Sequence, residues 1–195
     1  VPRTGSGGLV TPSRRAELLA DAQHVLDRNW TGHSTIPSRS LYPHQWSWDA
    51  AFIAIGRAWA EQERAQQELE TLFAAQWSDG MVPHIVFNPD VPKGAYFPGP
   101  EFWDSERADG HLGPPETSGI TQPPLHPVAA LAVHRRAPAQ SEARPFLTRL
   151  CPKLVAQRDY LANRRDPAGH GLAVIVHPWE SGMDNSPVWD EDLDE

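Results

Sequence analysis

The stretch from Trp77 to Pro124 most constrains what this chain can fold into. It carries Asp79-Gly80, Asn88-Pro89-Asp90, Pro98-Gly99-Pro100 and Gly113-Pro114-Pro115, and no helix of ordinary length fits between such breakers. Helices on either side must therefore be joined by a long irregular connection. Loops of that length are ordinarily either functional or disordered. Phe87, Tyr96, Phe97, Phe102 and Trp103 lie within it and argue for order, because aromatic side chains do not stay in water without a packing or binding role.

Outside this stretch the apolar spacing is helical. Thr11 to about Trp30 reads as an amphipathic helix, with Thr11 as N-cap, Pro12 in the first turn, and Leu18, Leu19, Ala22, Val25 and Leu26 on one side. A second helix starts near Asp49 and is expected to turn Phe52, Ile53, Ile55, Ala58 and Trp59 inward. A third, Glu63 to Gln76, has Leu69, Leu72 and Phe73 on its apolar stripe and reads as an outer helix. A fourth spans His126 to Ala137 and a fifth Ser141 to Arg165. Within the fifth, Cys151 follows Leu150 in an apolar pattern and is expected to be buried. Leu172 to Val176 reads as a short strand-like run, and residues 1–10 as a flexible tail. Helical hairpins with long loops at one end suit an all-α toroid of paired helices.

Charge excludes several functions. The formal net charge is −8, but Asp190, Glu191, Asp192, Asp194 and Glu195 crowd the C-terminal end, and without them 20 acids face 17 bases. No basic patch points to nucleic acid or an anionic membrane. No apolar run is long enough for a membrane span and no charged-then-apolar leader is present, so the expectation is a cytoplasmic chain. The single cysteine forms no intrachain disulfide. The nine histidines lack the paired spacing of a ligand helix, so neither a metal nor another cofactor is expected.

Chemistry concentrates in His177-Pro178-Trp179-Glu180-Ser181-Gly182-Met183-Asp184-Asn185-Ser186-Pro187-Val188-Trp189-Asp190. Gly182 permits a turn, the prolines stiffen the segment, and Trp179 and Trp189 offer faces on which sugar rings stack. A carboxyl such as that of Asp184, held among aromatics, is partly desolvated and keeps its proton toward neutrality, as a general acid must. The plainer alternative is a surface loop in which Asp184 caps a turn. Asp49 follows Trp46-Ser47-Trp48 at a helix start, where an acid also interacts favourably with the helix dipole.

Three segments in order carry a family resemblance: Leu41-Tyr42-Pro43-His44-Gln45-Trp46-Ser47-Trp48-Asp49-Ala50-Ala51-Phe52, then Thr117-Ser118-Gly119-Ile120-Thr121-Gln122-Pro123-Pro124, then Glu180-Ser181-Gly182-Met183-Asp184-Asn185-Ser186-Pro187. From roughly Arg14 onward the chain resembles the glucosylglycerate and mannosylglycerate hydrolases, glycoside hydrolase family 63-like enzymes in the clan of the trehalases and processing α-glucosidases. Met183, where trehalases carry tryptophan, and Asn185-Ser186-Pro187 set it apart from the trehalases. The resemblance implies an (α/α)6 barrel and inverting hydrolysis of an α-glycosidic bond. That reaction needs two carboxyl groups about 6.5–9.5 Å apart, one protonating the leaving oxygen and one activating water.

By the same resemblance Asp184 is the general acid. Asp49 binds hydroxyls of the sugar, Tyr42, Trp46 and Trp48 wall its subsite, and Gln122 lies at the junction of the two subsites. Tyr96 belongs to a mobile loop closing over the glycerate, while Trp179 and Gly182 flank the acid as stacking surface and backbone contact. Core packing remains open for each aromatic residue, and loop hydrogen bonding for Gln122. The family's base is a downstream glutamate with no match here, so residues 11–195 are expected to be the N-terminal part of the barrel, truncated after the acid loop. Such a piece is expected to expose apolar surface and to associate with itself, which leaves a homo-oligomer open. Its expected partner is a small sugar substrate. An α-glucosidase, a trehalase, or a non-catalytic carbohydrate-binding chain is the alternative.

Overall fold

The computed structural model describes residues 11–190, so the tail expected over residues 1–10 and the acidic residues 191–195 lie outside the described residues. The described residues are mostly helical. In order come α1 (Pro12–Arg28), β1 (Gln45–Trp46), α2 (Ser47–Arg57), α3 (Gln62–Ala74), β2 (Ile85–Val86), the single-turn α4 (Pro100–Trp103), α5 (His126–Arg136) and α6 (Gln140–Arg164). The side chain of Thr11 accepts from the Arg14 N–H, which caps α1 one residue before Pro12.

The core is built on α2. Ala50, Ala54 and Ala58 recur at four-residue intervals, and with Ala51 they form a stripe small enough for α3 and α5 to approach closely. Against it pack Leu69, Leu72 and Phe73 of α3, Ala129, Ala130 and Val133 of α5, and Phe146 and Leu150 of α6. Burying each of the larger side chains contributes about 1.5–3 kcal/mol. β1 and β2 pair antiparallel, Gln45 opposite Val86 and Trp46 opposite Ile85, and Val86 bridges onward to Thr117. This small ribbon anchors the long connection to the helices. The connection itself holds only β2, α4 and one 3-10 turn, Ser105–Arg107.

Three expectations fail for physical reasons, and one apolar face stays open as expected of exposed apolar surface. Phe52 and Trp59 are 56% and 62% exposed, because the phase of α2 is fixed by the strand feeding into it and turns the alanines inward. α1 buries none of its residues, and its apolar stripe remains open, with Leu19 and Val25 exposed. Cys151 is exposed: Leu150 takes the core-facing position, and the next residue lies about 100° round the helix. Leu172–Val176 forms no strand. Its backbone instead ties to the end of α6, where Val174 N–H donates to Arg165 C=O at 2.6 Å.

Candidate active site

The junction of β1 with α2 places the first site residues. Trp46 caps α2 in extended conformation, so Trp48 and Asp49 fall in the first turn, whose N–H groups have no acceptor within the helix. Gln122 supplies one: its Oε1 accepts from Trp48 N–H at 3.1 Å, and the glutamine is buried in the act. A second tie fixes the helix start. Gln157 donates to His126 Nδ1 at 2.9 Å, so His126 Nε2 carries the hydrogen and donates to Ser47. Burial pushes the His126 pKa down to about 4, which keeps that ring neutral.

The acid loop comes from the other end of the chain. A 3-10 turn, Pro178–Ser181, ends at Gly182 in left-handed conformation, φ +70°. Met183 C=O then accepts from Ser186 N–H and from the Trp189 indole, each at 3.0 Å, and this frames the tight turn that carries Asp184. A Cβ on Gly182 would lie 2.5 Å from the Trp48 ring, so the acid loop and the start of α2 are in close contact only because this residue is glycine.

Between them lies a cavity of about 160 Å³ lined by Pro37, Tyr42, Trp46, Trp48, Asp49, Gln122 and Asp184. Larger cavities lie elsewhere, between α1 and α2, beside the end of α6 and along the long connection; one of the last is lined by Glu101, Asp104, Glu106 and Glu116 but has no aromatic wall, and none of the others gathers two carboxylates. Tyr42 meets Trp46 edge-on at 5.3 Å and Trp48 meets Phe52 at 6.0 Å, which holds the wall rigid. Burial pushes the Asp49 carboxyl above the usual carboxylate range. Its own backbone N–H opposes this and the charge of Asp184 adds to it. Asp184 is exposed at the edge of the cavity, and its carboxyl is raised chiefly by modest desolvation there, against hydrogen bonding to its own backbone and the nearby His177. One carboxyl that keeps its proton beside another at the edge of an aromatic wall can deliver a proton to an oxygen while hydroxyl groups are gripped nearby.

Tyr42, Trp46, Trp48, Asp49, Gln122 and Asp184 thus share one cavity, while Tyr96, Trp179 and Gly182 do not line it. Tyr96 packs edge-on to Trp46 at 5.6 Å, and burial, then Tyr42 and Asp184, push its phenol up to about 12. Trp179 packs instead on His177 at 4.7 Å, His84 at 6.1 Å and Trp103 at 6.2 Å. Trp189 spends its indole N–H on the acid turn. Residue-type reasoning passed over two participants. His84 is buried between Trp46 and Trp179 with its pKa pushed down to about 3 by burial and by His177. Glu180, also buried, is held by Arg165 and two backbone N–H groups. Their signal is three-dimensional, since the partners lie far off in sequence. Among the described residues no three His, Cys, Asp or Glu side chains converge as metal ligands, and no helix is long and apolar enough to cross a membrane.

Comparison with known proteins is consistent across sequence and structure. Residues 42–195 match the family model described as "Mannosylglycerate hydrolase MGH1-like glycoside hydrolase domain". The chain is 51% identical over 181 residues to a mannosylglycerate hydrolase of Rubrobacter radiotolerans, covering 91% of this chain and 40% of that protein. It is 46% identical over 180 residues to a glucosylglycerate hydrolase of Mycolicibacterium hassiacum, with 89% and 40% covered. The crystal structure of a glycoside hydrolase family 63 mannosylglycerate hydrolase from Thermus thermophilus, in complex with Tris and D-glycerate, superposes with a TM-score of 0.81 at 48% identity, over 91% of this chain and 40% of that one. The chain therefore spans about 40% of the length of these relatives.

Proposed function

The chain belongs to the mannosylglycerate hydrolase MGH1-like glycoside hydrolase family, and from that premise we propose that it forms the proton-donor side of a site hydrolysing the α-glycosidic bond of glucosylglycerate or mannosylglycerate with inversion. The described helices are, in this reading, the first hairpins of an (α/α)6 barrel, and the cavity beside α2 is its sugar subsite. What carries the reading is the convergence of Asp49, Asp184 and the Tyr42–Trp46–Trp48 wall on one cavity from segments far apart in the chain.

Asp184 protonates the glycosidic oxygen as the bond from the anomeric carbon to that oxygen breaks. A carboxyl raised by desolvation holds the proton until the leaving glycerate takes it. Asp49 and Gln122 hold sugar hydroxyls, and the indole faces of Trp46 and Trp48 cover the apolar side of the ring. Tyr96 closes the glycerate side, where water must be kept from the reacting bond. A second carboxylate activates the attacking water on the opposite face.

Proton NMR of the full-length protein acting on glucosylglycerate and on mannosylglycerate tests this. The β-anomer of the hexose is expected to appear first and the α-anomer only by mutarotation. Early α-anomer, or release of no hexose from either compound, would refute inverting hydrolysis of this substrate class.

A further inference from the structure

Glu180 lies four residues before Asp184, is 6% exposed, and does not line the cavity. Its carboxylate is fully occupied. Oε1 accepts from Arg165 Nη2 at 2.5 Å and from Thr121 N–H at 3.2 Å, while Oε2 accepts from Arg165 Nη1 at 3.0 Å and from Val176 N–H at 2.9 Å. Four donors saturate the lone-pair sites of a carboxylate, so no acceptor is left for a substrate hydroxyl or a water. Arg165, 8% exposed at the end of α6, gives its remaining Nε–H to the Tyr160 hydroxyl at 2.7 Å. A forked, buried pair of this kind fixes direction as well as distance.

Three segments meet at this carboxylate, and two of them end in groups that face the cavity. Thr121 precedes Gln122, whose Oε1 holds the Trp48 N–H in the turn that carries Asp49. The 3-10 turn containing Glu180 leads through Gly182 to Asp184. Thr121 is tied down on its other side by its Oγ1–H, which donates to Val82 C=O at 2.9 Å. The acid loop thus reaches the sugar-binding turn by a continuous path of short bonds through Glu180.

We propose that the Glu180–Arg165 pair is a positioning clamp that sets the Asp184 carboxyl at the height of the leaving-group oxygen relative to Asp49 and Gln122. The proposal rests on the reading of Asp184 as the acid. Glu180 itself exchanges no proton with substrate. Misplacement by a fraction of an ångström at Asp184 costs rate only where the leaving group needs that proton, whereas loss of folded protein costs all rates alike.

The test compares two leaving groups on one sample, which cancels the folded fraction. In the full-length protein, kcat/KM is measured for glucosylglycerate or mannosylglycerate and for the α-fluoride of the same sugar, whose fluoride departs with little help from an acid. For Glu180→Gln the ratio of fluoride to glycerate rates is expected to rise about 10- to 100-fold above the parent. Arg165→Lys, which keeps the charge but loses the fork and so spares the fold, is expected to raise it in the same sense. Asp184→Asn serves as reference and raises it at least as far. If Asp184→Asn raises the ratio while the other two leave it at the parent value, the clamp is overturned and the acid stands. If Asp184→Asn also leaves it unchanged, the acid reading fails and the clamp with it.

Discussion

At the residue scale the site is governed by two carboxyls that desolvation raises, Asp49 and Asp184. Asp49 sits in the first turn of α2 facing the charge of Asp184, which adds to burial in making Asp49 harder to ionise. In the proposed reaction Asp184 works protonated, so activity of the full-length protein is expected to fall as pH rises through the Asp184 pKa. That alkaline limb is read from the pH dependence of kcat/KM in the full-length protein, and Asp184→Asn is expected to remove it from the residual activity. A limb that persists in that variant would assign it to another group. Asp49→Ala, which removes a contact to the sugar, is expected to raise KM and lower kcat together. Both assignments came from the resemblance of their segments to the glycosylglycerate hydrolases, since composition alone left Asp184 open as a turn cap and Asp49 as an acid at a helix start. Glu180 stood in the same motif without a role, since what defines it is burial against Arg165 and Thr121, and neither is near enough in sequence to signal it.

At the element scale, helices were legible and their orientation was not. Periodicity located α1, α3, α5 and α6 to within a residue or two, but in α2 it could not tell a stripe of alanines from a stripe of larger side chains. The strand that runs directly into α2 decides which faces in. Leu172–Val176 has the composition of a strand, but its backbone bonds to the end of α6 instead of to a sheet. Two glycines report how tightly such segments are set. At Gly182, φ +70°, an added Cβ meets the Trp48 ring, so Gly182→Ala is expected to cost about 1–2 kcal/mol in denaturant unfolding and to lower turnover by shifting the acid loop. Gly80, φ +97°, would press its Cβ on the Ala156 carbonyl, which is backbone and cannot swing aside. Gly80→Ala should therefore destabilise more than Gly182→Ala while changing the ratio of fluoride to glycerate rates less. The reverse order would place the tighter constraint at the acid loop.

At the scale of the molecule, one apolar core formed by α2, α3, α5 and α6 supports a face rich in buried titratable groups. Burial holds His44 near 4, His84 near 3 and His126 near 4, all below the ordinary histidine value of 6.5. A depressed folded pKa gives stability that is complete above the unfolded value and is lost as pH falls, so these groups are expected to weaken the fold between pH 6.5 and about 4. Glu68, raised by burial to about 7 although it accepts from Gln45 and Thr35, acts the other way and loses its contribution as pH climbs from 4.5 toward 7. Asp49 and Asp184, also raised, act in the same sense as Glu68 but from an ordinary value of 3.8, so between pH 7.5 and pH 5 the three histidines give a net loss of stability on acidification. Denaturant titrations at pH 7.5 and pH 5 check this, and His126→Gln is expected to lessen the difference between them. The fold and the cavity rest on the same buried polar contacts, and what remains to be tried is the chemistry assigned to them. Turnover of glucosylglycerate and mannosylglycerate by full-length Asp184→Asn protein tests it most directly: removing the transferable proton at constant size is expected to lower kcat by about 10²–10⁴ with little change in sugar binding, and turnover at the parent rate in a protein that cleaves these compounds would contradict the account.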